Sequence, residues 1–357
     1  MYSFEYLKSF VINLFLKNNF SEQDAEIISD VLLAAELRGI STHGLMRISE
    51  YINLLEKGRI KAQPEIKIIH ETSSTALVDG DSGLGMIVGK FAMNLALKKS
   101  DSVGTGWVAV RNSNHFGIAG YYSMMALKSD KIGIAMTNAN PLVAPTFSKE
   151  ALLGTNPIAV AIPAGLEYPF VADFATSPVS RGRLDVMNMN NEKAPFGYVQ
   201  DENGNPSDDS GILSKGGAIL PLGGDREHGS HKGYCLSSIV DIFSAVLSGA
   251  NFGPFVVPSL DYISQKKDNY KGKGIGHFFG SMRIDAFQSA EDFKRNMDLW
   301  IQSFKQAKPV DGQKEVIIPG EPERESEIKK MKEGIEISES VLRKLNLIAE
   351  KFDLKKI

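Results

Sequence analysis

An apolar run that stops at a polar, glycine-flanked loop carrying a histidine is the feature that most limits how this chain folds. Gly106-Trp107-Val108-Ala109-Val110 reads as a buried strand. The stretch Arg111-Asn112-Ser113-Asn114-His115-Phe116-Gly117-Ile118-Ala119-Gly120-Tyr121-Tyr122 reads as the loop leaving it, followed by a helix-like segment through Ala126. Strand, polar turn, glycines and helix form the layout by which an open α/β sheet exposes reactive side chains at its carboxyl edge. His115 stands at the tip, and an imidazole exchanges a proton near neutral pH without help. The position would equally suit a loop histidine bonded to its neighbours.

The flanking chain fits the same class. Residues 4 to 18 carry Phe4, Leu7, Phe10, Val11 and Leu14 at helical spacing, and Ser21 caps a second helix running to about Arg38. A third helix is expected from near Leu45 to Lys57, where Gly58 stops it. If it starts just after Gly39-Ile40-Ser41-Thr42-His43-Gly44, then His43, Arg47 and Tyr51 stand four apart on one face. An imidazole, a guanidinium and a phenol in a row suit an anionic organic ligand, because arginine presents a planar fork to a carboxylate. A solvated helix face would produce the same trio.

From residue 65 short β-rich runs alternate with helical stretches. Thr75 to Val78 is a strand, followed by a helix to about Lys99. Gly83, Gly85 and Gly89 nearly match a Rossmann fingerprint, but four polar or glycine residues separate the strand from the first of them. The next strand also ends without an acidic residue to hold a ribose, so the Rossmann fold is rejected. Runs 132–136 and 157–162 bracket Thr137-Asn138-Ala139-Asn140-Pro141 and Leu153-Gly154-Thr155-Asn156, which are polar as a pocket wall would be, or as simple turns are. Phe170-Val171-Ala172-Asp173-Phe174-Ala175-Thr176-Ser177 ends another strand, with Thr176 or Ser177 placed to cap the helix carrying Arg181 and Arg183.

Residues 190 to 230 read as a polar excursion over the surface. Lys232 follows at the start of an apolar helix, where an ammonium and a helix amino end together suit a phosphate. The histidines near it lack metal-ligand spacing, so no metal site is assigned. Residues 276–284 form one more strand and 288–306 an amphipathic helix; 307–334 read as a surface connection and 338–352 as a last helix. The expected division is a helical segment, 1–75 with about 310–357, beside an α/β region, 76–309.

A net charge of -3 offers no positive field for nucleic acid or an acidic membrane. Cys235 is the single cysteine, so no internal disulfide forms. No basic lead-in precedes an apolar signal core, and no run is long enough for a membrane span, so a soluble cytoplasmic protein is expected.

Taken in order, these segments resemble the type-2 malate/L-lactate dehydrogenase family, which includes sulfolactate and ureidoglycolate dehydrogenases and a cyclic-imine reductase. The resemblance runs through Ser41-Thr42-His43-Gly44 with Arg47 and Tyr51, Asn114-His115-Phe116-Gly117, Gly154-Thr155-Asn156-Pro157 and Asp173 to Ser177. It continues through Pro221-Leu222-Gly223-Gly224, Lys232-Gly233-Tyr234 and Pro319-Gly320-Glu321-Pro322-Glu323. It implies a non-Rossmann, L-sulfolactate dehydrogenase-like α/β fold with a mixed sheet flanked by helices. It also implies a homodimer and an NAD- or NADP-dependent oxidoreductase of 2-hydroxy and 2-oxo acids. His115 matches the proton acceptor, with His43 and Arg47 in the catalytic site; Thr42, Arg47, Tyr51 and Thr155 match the substrate site. His43, Gly117, Ile118, Ala119, Gly120, Tyr121, Asn138, Asp173, Phe174, Ala175 and Lys232 fall to the cofactor. The family usually has serine where Thr42 stands, and its dehydrogenases tend to carry lysine at Arg183. Reduction of a cyclic imine or diketo acid, and cofactor binding without catalysis, are the alternatives.

Overall fold

Three helices come first because their apolar residues recur every three or four positions. A computed structural model describes residues 1–256 and 272–357. Helix α1 (Phe4–Lys17) buries Leu7, Phe10, Val11, Leu14 and Phe15. Helix α2 (Glu22–Leu37) starts where the Ser21 hydroxyl accepts the Asp24 N–H at 3.1 Å. The third helix, α3 (Ile48–Glu56), begins later than the expected Leu45. Ser41–His43 and Leu45–Arg47 form two short 3-10 turns instead, broken at Gly44. His43 and Arg47 therefore precede the helix that carries Tyr51 and share no helix face with it.

Strands β1 (Lys67–Glu71) and β2 (Thr75–Asp79) form a hairpin, and α4 (Gly85–Val103) returns the chain to β3 (Thr105–Ser113). A short helix, α5 (Ala119–Met124), leads to β4 (Lys131–Thr137), then β5 (Ile158–Ile162) and β6 (Phe170–Phe174). Helix α6 (Arg181–Met189) is capped by Ser180, whose hydroxyl accepts the Arg183 N–H, and not by Thr176 or Ser177. The hydroxyl of Thr176 is committed to the Thr155 and Asn156 carbonyls and that of Ser177 to the Val179 carbonyl.

The expected surface excursion has a core of its own. Strands β7 (Val199–Gln200), β8 (Pro206–Ser207) and β9 (Ala218–Ile219) make a small sheet, and Val199, Ile212 and Ile219 bury with Val143, Leu153 and Leu184. Helix α7 (Ser230–Asp241) continues as a wider turn over Ile242–Val246. Strand β10 (Ile275–Arg283) and helix α8 (Ala290–Lys305) follow. Within the expected surface connection lies α9 (Glu321–Glu333), a polar helix whose side chains bond α2 rather than fill a core; α10 (Glu339–Lys351) is last.

The main sheet runs β1-β2-β3-β10-β4-β5-β6. It is mixed: β2 and β3 are parallel, and every other neighbouring pair is antiparallel. Late strand β10 enters between β3 and β4, and its first seven residues are all buried. Pairing of Ile275 with Ser113, His277 with Thr137 and Ile158 with both Met136 and Phe174 fixes which ends meet. One sheet edge thus collects the ends of β3, β4 and β6 and the starts of β5 and β10. That edge leads into every loop with a candidate residue from the sheet. Among the described residues no helix is long and apolar enough to cross a membrane.

Phe279 in β10 is fully buried against Phe116 and Tyr122. Phe279→Ala should lower unfolding free energy by about 3–5 kcal/mol, as loss of a buried ring does. Urea denaturation followed by fluorescence measures it, and a loss below about 1 kcal/mol would contradict this packing.

Candidate active site

The loop after β3 is held by close backbone packing. A Cβ on Gly85, the first residue of α4, would lie 2.1 Å from the Asn114 carbonyl oxygen and 2.7 Å from the His115 carbonyl carbon. Gly85, one of the glycines that imitate a dinucleotide fingerprint, therefore has another use here, which is to let a helix start press directly on the His115 loop. Phe116 is pinned below: its ring stacks on the His277 imidazole at 4.7 Å and 9°, and the Tyr122 hydroxyl donates to its carbonyl. His277 is itself fully buried, with Nδ1 2.7 Å from Thr137 Oγ1 and Nε2 2.7 Å from Ser113 Oγ. Burial pushes its ring down to about 3, so it stays neutral and ties β3, β10 and β4 together.

Opposite stands the double turn 41–47, secured by the buried carboxylate of Glu36. Its Oε1 accepts the Leu45 N–H at 2.7 Å, and Gly44 lies so close that a Cβ there would be 2.2 Å from the same oxygen. Burial raises the Glu36 carboxyl, against the Leu45 and Ser41 hydrogen bonds and the Lys330 charge. Thr42 Oγ1 lies 2.9 Å from His43 Nδ1, and the Thr42 methyl, which serine lacks, rests against Gly182 of α6.

These supports bring His43, Arg47, Tyr51 and His115 together although they do not share a helix. The His43 and His115 rings stack 5.4 Å apart at 25°. Tyr51 Oη is 2.6 Å from His115 Nδ1, and the Gly117 N–H approaches the same nitrogen at 3.3 Å. Arg47 donates from Nε to the Thr42 carbonyl at 2.8 Å and from Nη1 to Glu50 at 2.9 Å. Its Nη2 has no partner among the described residues. Burial holds the His43 ring down to about 4, with the Arg47 charge adding to it. Burial, then Arg47, His43 and His277, hold His115 well below the usual histidine range. Both rings are therefore neutral at pH 7.

The remaining candidates lie along the same sheet edge. Asp173 Oδ2 accepts the Gly120 N–H at 2.8 Å, and burial raises its carboxyl to about 6, against that bond and the Arg38 charge. Its Oδ1 has no partner among the described residues. Phe174 beside it is exposed and Ala175 half-buried. Ile118 and Ala119 are buried, Tyr121 is half-buried with its phenol raised to about 12 by burial, and Lys232 is exposed in the first turn of α7. Thr155 presents a half-buried hydroxyl, while Asn156 braces the loop through Ala139 N–H and the Ser237 carbonyl. Asn138, expected at the cofactor, has its side-chain atoms engaged within the protein. It is buried, with Nδ2 bonded to Asp241 and the Asn251 carbonyl and Oδ1 to the Gly276 N–H, so its side chain is committed to the protein.

This arrangement can be set beside known proteins. The family pattern described as Malate/L-lactate dehydrogenase matches residues 2–346. The chain belongs to that family. It is accordingly an oxidoreductase of 2-hydroxy acids. A malate dehydrogenase of Pyrococcus abyssi is 42% identical over 350 residues, covering 98% of this chain and 94% of the relative. An L-sulfolactate dehydrogenase of Methanocaldococcus jannaschii is 39% identical over 347 residues, covering 97% of this chain and 96% of the relative. The solved malate dehydrogenase structure of Pyrococcus horikoshii superposes with a TM-score of 0.90 at 38% identity, covering 100% of this chain and 96% of that one.

The sequence reading missed Glu36 and His277. A histidine in an otherwise apolar strand and an acid in the apolar end of α2 were the available signals, since buried polar groups need partners. Gly85→Ala should displace the His115 loop and cut turnover at least about tenfold while costing about 1–3 kcal/mol of stability. Steady-state rates and a thermal melt on one preparation separate the two effects, and full activity would show the loop to be free of α4.

Proposed function

We propose that the enzyme transfers a hydride between NAD or NADP and a small 2-hydroxy acid of malate or lactate type, or its 2-oxo partner. The observation that carries this reading is the convergence of two neutral imidazoles with a guanidinium that has Nη2 to spare. The names of the relatives, malate and sulfolactate dehydrogenases, are consistent with it.

Arg47 Nη2 holds the substrate carboxylate and turns the C2 oxygen towards His115. That carboxylate offsets the Arg47 charge, one of the causes that hold the His115 ring down, so the imidazole regains basicity with substrate in place. His115 then exchanges a proton with the C2 oxygen, worth about 10²–10⁴-fold, while His43, Tyr51, Thr42 and Thr155 shape the surrounding wall. When bound, the nicotinamide ring supplies or takes up the hydride.

The residues present fit such a dinucleotide. Asp173 Oδ1 is free among the described residues to accept from a ribose hydroxyl, and exposed Phe174 gives a flat apolar face. Lys232, with no ion pair among the described residues, adds its charge to the positive end of α7 for a phosphate. Gly117 to Tyr121 lie between this carboxylate and His115, which supports a contact of their backbone with the cofactor.

In NADH and NADPH oxidation assays against oxaloacetate, pyruvate and 3-sulfopyruvate, His115→Ala should lower kcat by about 10²-fold or more with nucleotide affinity kept. Arg47→Ala should instead raise KM for the acid by about tenfold or more. Survival of wild-type turnover in His115→Ala would move the proton exchange to His43.

The family expectation of a homodimer also has a physical basis. Helix α7 and its extension bury Gly233, Ser237, Val240, Asp241 and Ser244 and expose Ile239, Ile242, Phe243, Val246 and Leu247. An apolar face of that kind is suited to a second copy. Light scattering should give a mass of two chains, shifted towards one by Leu247→Lys; a wild-type monomer at micromolar concentration would refute the assembly.

A further inference from the structure

We propose that Tyr51 is the positioning residue of this site: its hydroxyl orients His115 and holds the resting neutral ring with its proton on Nε2, so the free enzyme offers a donor to the C2 oxygen of a 2-oxo acid. The inference rests on His115 being the proton-exchanging group. It gives Tyr51 a task other than the expected contact with substrate.

Two hydrogen bonds converge on one nitrogen. Tyr51, 2% exposed on α3, places Oη 2.6 Å from His115 Nδ1, and the Gly117 N–H points at the same atom from 3.3 Å. A backbone N–H only donates, so Nδ1 must present its lone pair. The phenol can donate or accept, and beside that N–H it donates. A neutral imidazole with a lone pair on Nδ1 carries its proton on Nε2. Nε2 has no partner among the described residues, which leaves it for the substrate.

The groups facing His115 agree with a neutral ring. Tyr51 comes from α3, and burial raises its phenol, so it stays protonated. His43 and Arg47 come from the double turn, the latter paired with Glu50; His277 lies beyond Phe116 on β10. No carboxylate touches the ring among the described residues, so nothing anionic favours the imidazolium.

The two-sided capacity of a phenol then matters for the reverse reaction. To take a proton from a 2-hydroxy acid, Nε2 needs its lone pair and the ring proton must sit on Nδ1. Tyr51 can turn and accept that proton; phenylalanine can neither donate nor accept. The resting Nε2–H ring gives the oxo acid a hydrogen bond. Delivery of a proton needs the imidazolium, formed by uptake of a proton from solvent once the substrate carboxylate offsets Arg47; the turned phenol accepts its Nδ1–H, and transfer from Nε2 leaves the neutral Nδ1–H ring from which oxidation starts.

Nitrogen-15 NMR of histidine-labelled full-length protein reads the tautomer directly, with the His115 signals assigned by their loss in His115→Ala. Nδ1 should be pyridine-like and Nε2 pyrrole-like at pH 7; the reverse pattern overturns the proposal. This readout does not depend on turnover, so it stands apart from the test of His115 as the reacting group. Tyr51→Phe keeps the buried ring and should lower kcat at least about tenfold, the lower end of what is lost with the group that orients a histidine. KM for the oxo acid should stay within about twofold. An unchanged kcat, or a loss carried by KM alone, overturns the proposal; if the variant does not fold, the wild-type NMR pattern decides alone.

Discussion

The His277 ring lies flat on Phe116 at 4.7 Å, and much of the site depends on that contact. Its two nitrogens are engaged by Ser113 and Thr137, one from each strand that flanks β10. The imidazole thus links three adjacent strands at the edge where their loops begin. A buried polar ring costs free energy unless both nitrogens are satisfied, and here both are. With Phe116 fixed from below and Gly85 pressed against the Asn114 carbonyl from the side, His115 has little room to move. The ring proposed to exchange the proton is thus placed by a fully buried neighbour.

Electrostatics complete what packing begins. Three imidazoles, His43, His115 and His277, all titrate below their ordinary range, each chiefly through burial. Arg47 lowers two of them further, and Glu50 on α3 takes only one of its nitrogens. The protein's own groups therefore leave the site short of negative charge. In the proposed reaction an acid substrate supplies that charge, which would couple binding and proton chemistry through one guanidinium.

Periodic patterns in the sequence foretold most of the elements, and the loops at the strand ends are where the fold gathers most of the candidate residues. Helices α1, α2 and α4 and strands β2 to β6 lie close to where apolar spacing puts them, because there local pattern and burial agree. The double turn at 41–47 was not legible, since its cause is a hydrogen bond from Glu36, a residue on another helix. Nor was the insertion of β10 between β3 and β4, which depends on pairing at a sequence distance of more than 130 residues. The bond from the Asn138 side chain to Asp241 was not legible either; a buried carboxylate that needs a donor is invisible in the local sequence. The small sheet within 190–230 was hidden by its two-residue strands, too short to show a period.

The polar helix α9 shows how far the supports of the site extend. It buries no residue, yet Ser326 donates to the Leu37 carbonyl at 2.8 Å and Lys330 to the Glu36 carbonyl at 2.6 Å. Arg38 pairs with Glu327 at 3.2 Å alongside them. The last carbonyls of a helix have no partners within it, and a cation there is favoured by the helix dipole. Helix α9 supplies both needs for α2. Glu36 then becomes the joint between two levels: its carbonyl is held by α9 and its carboxylate holds the turn carrying His43 and Arg47. Disturbing Lys330 would loosen the end of α2, and the effect would reach the turn carrying His43 and Arg47 through Glu36.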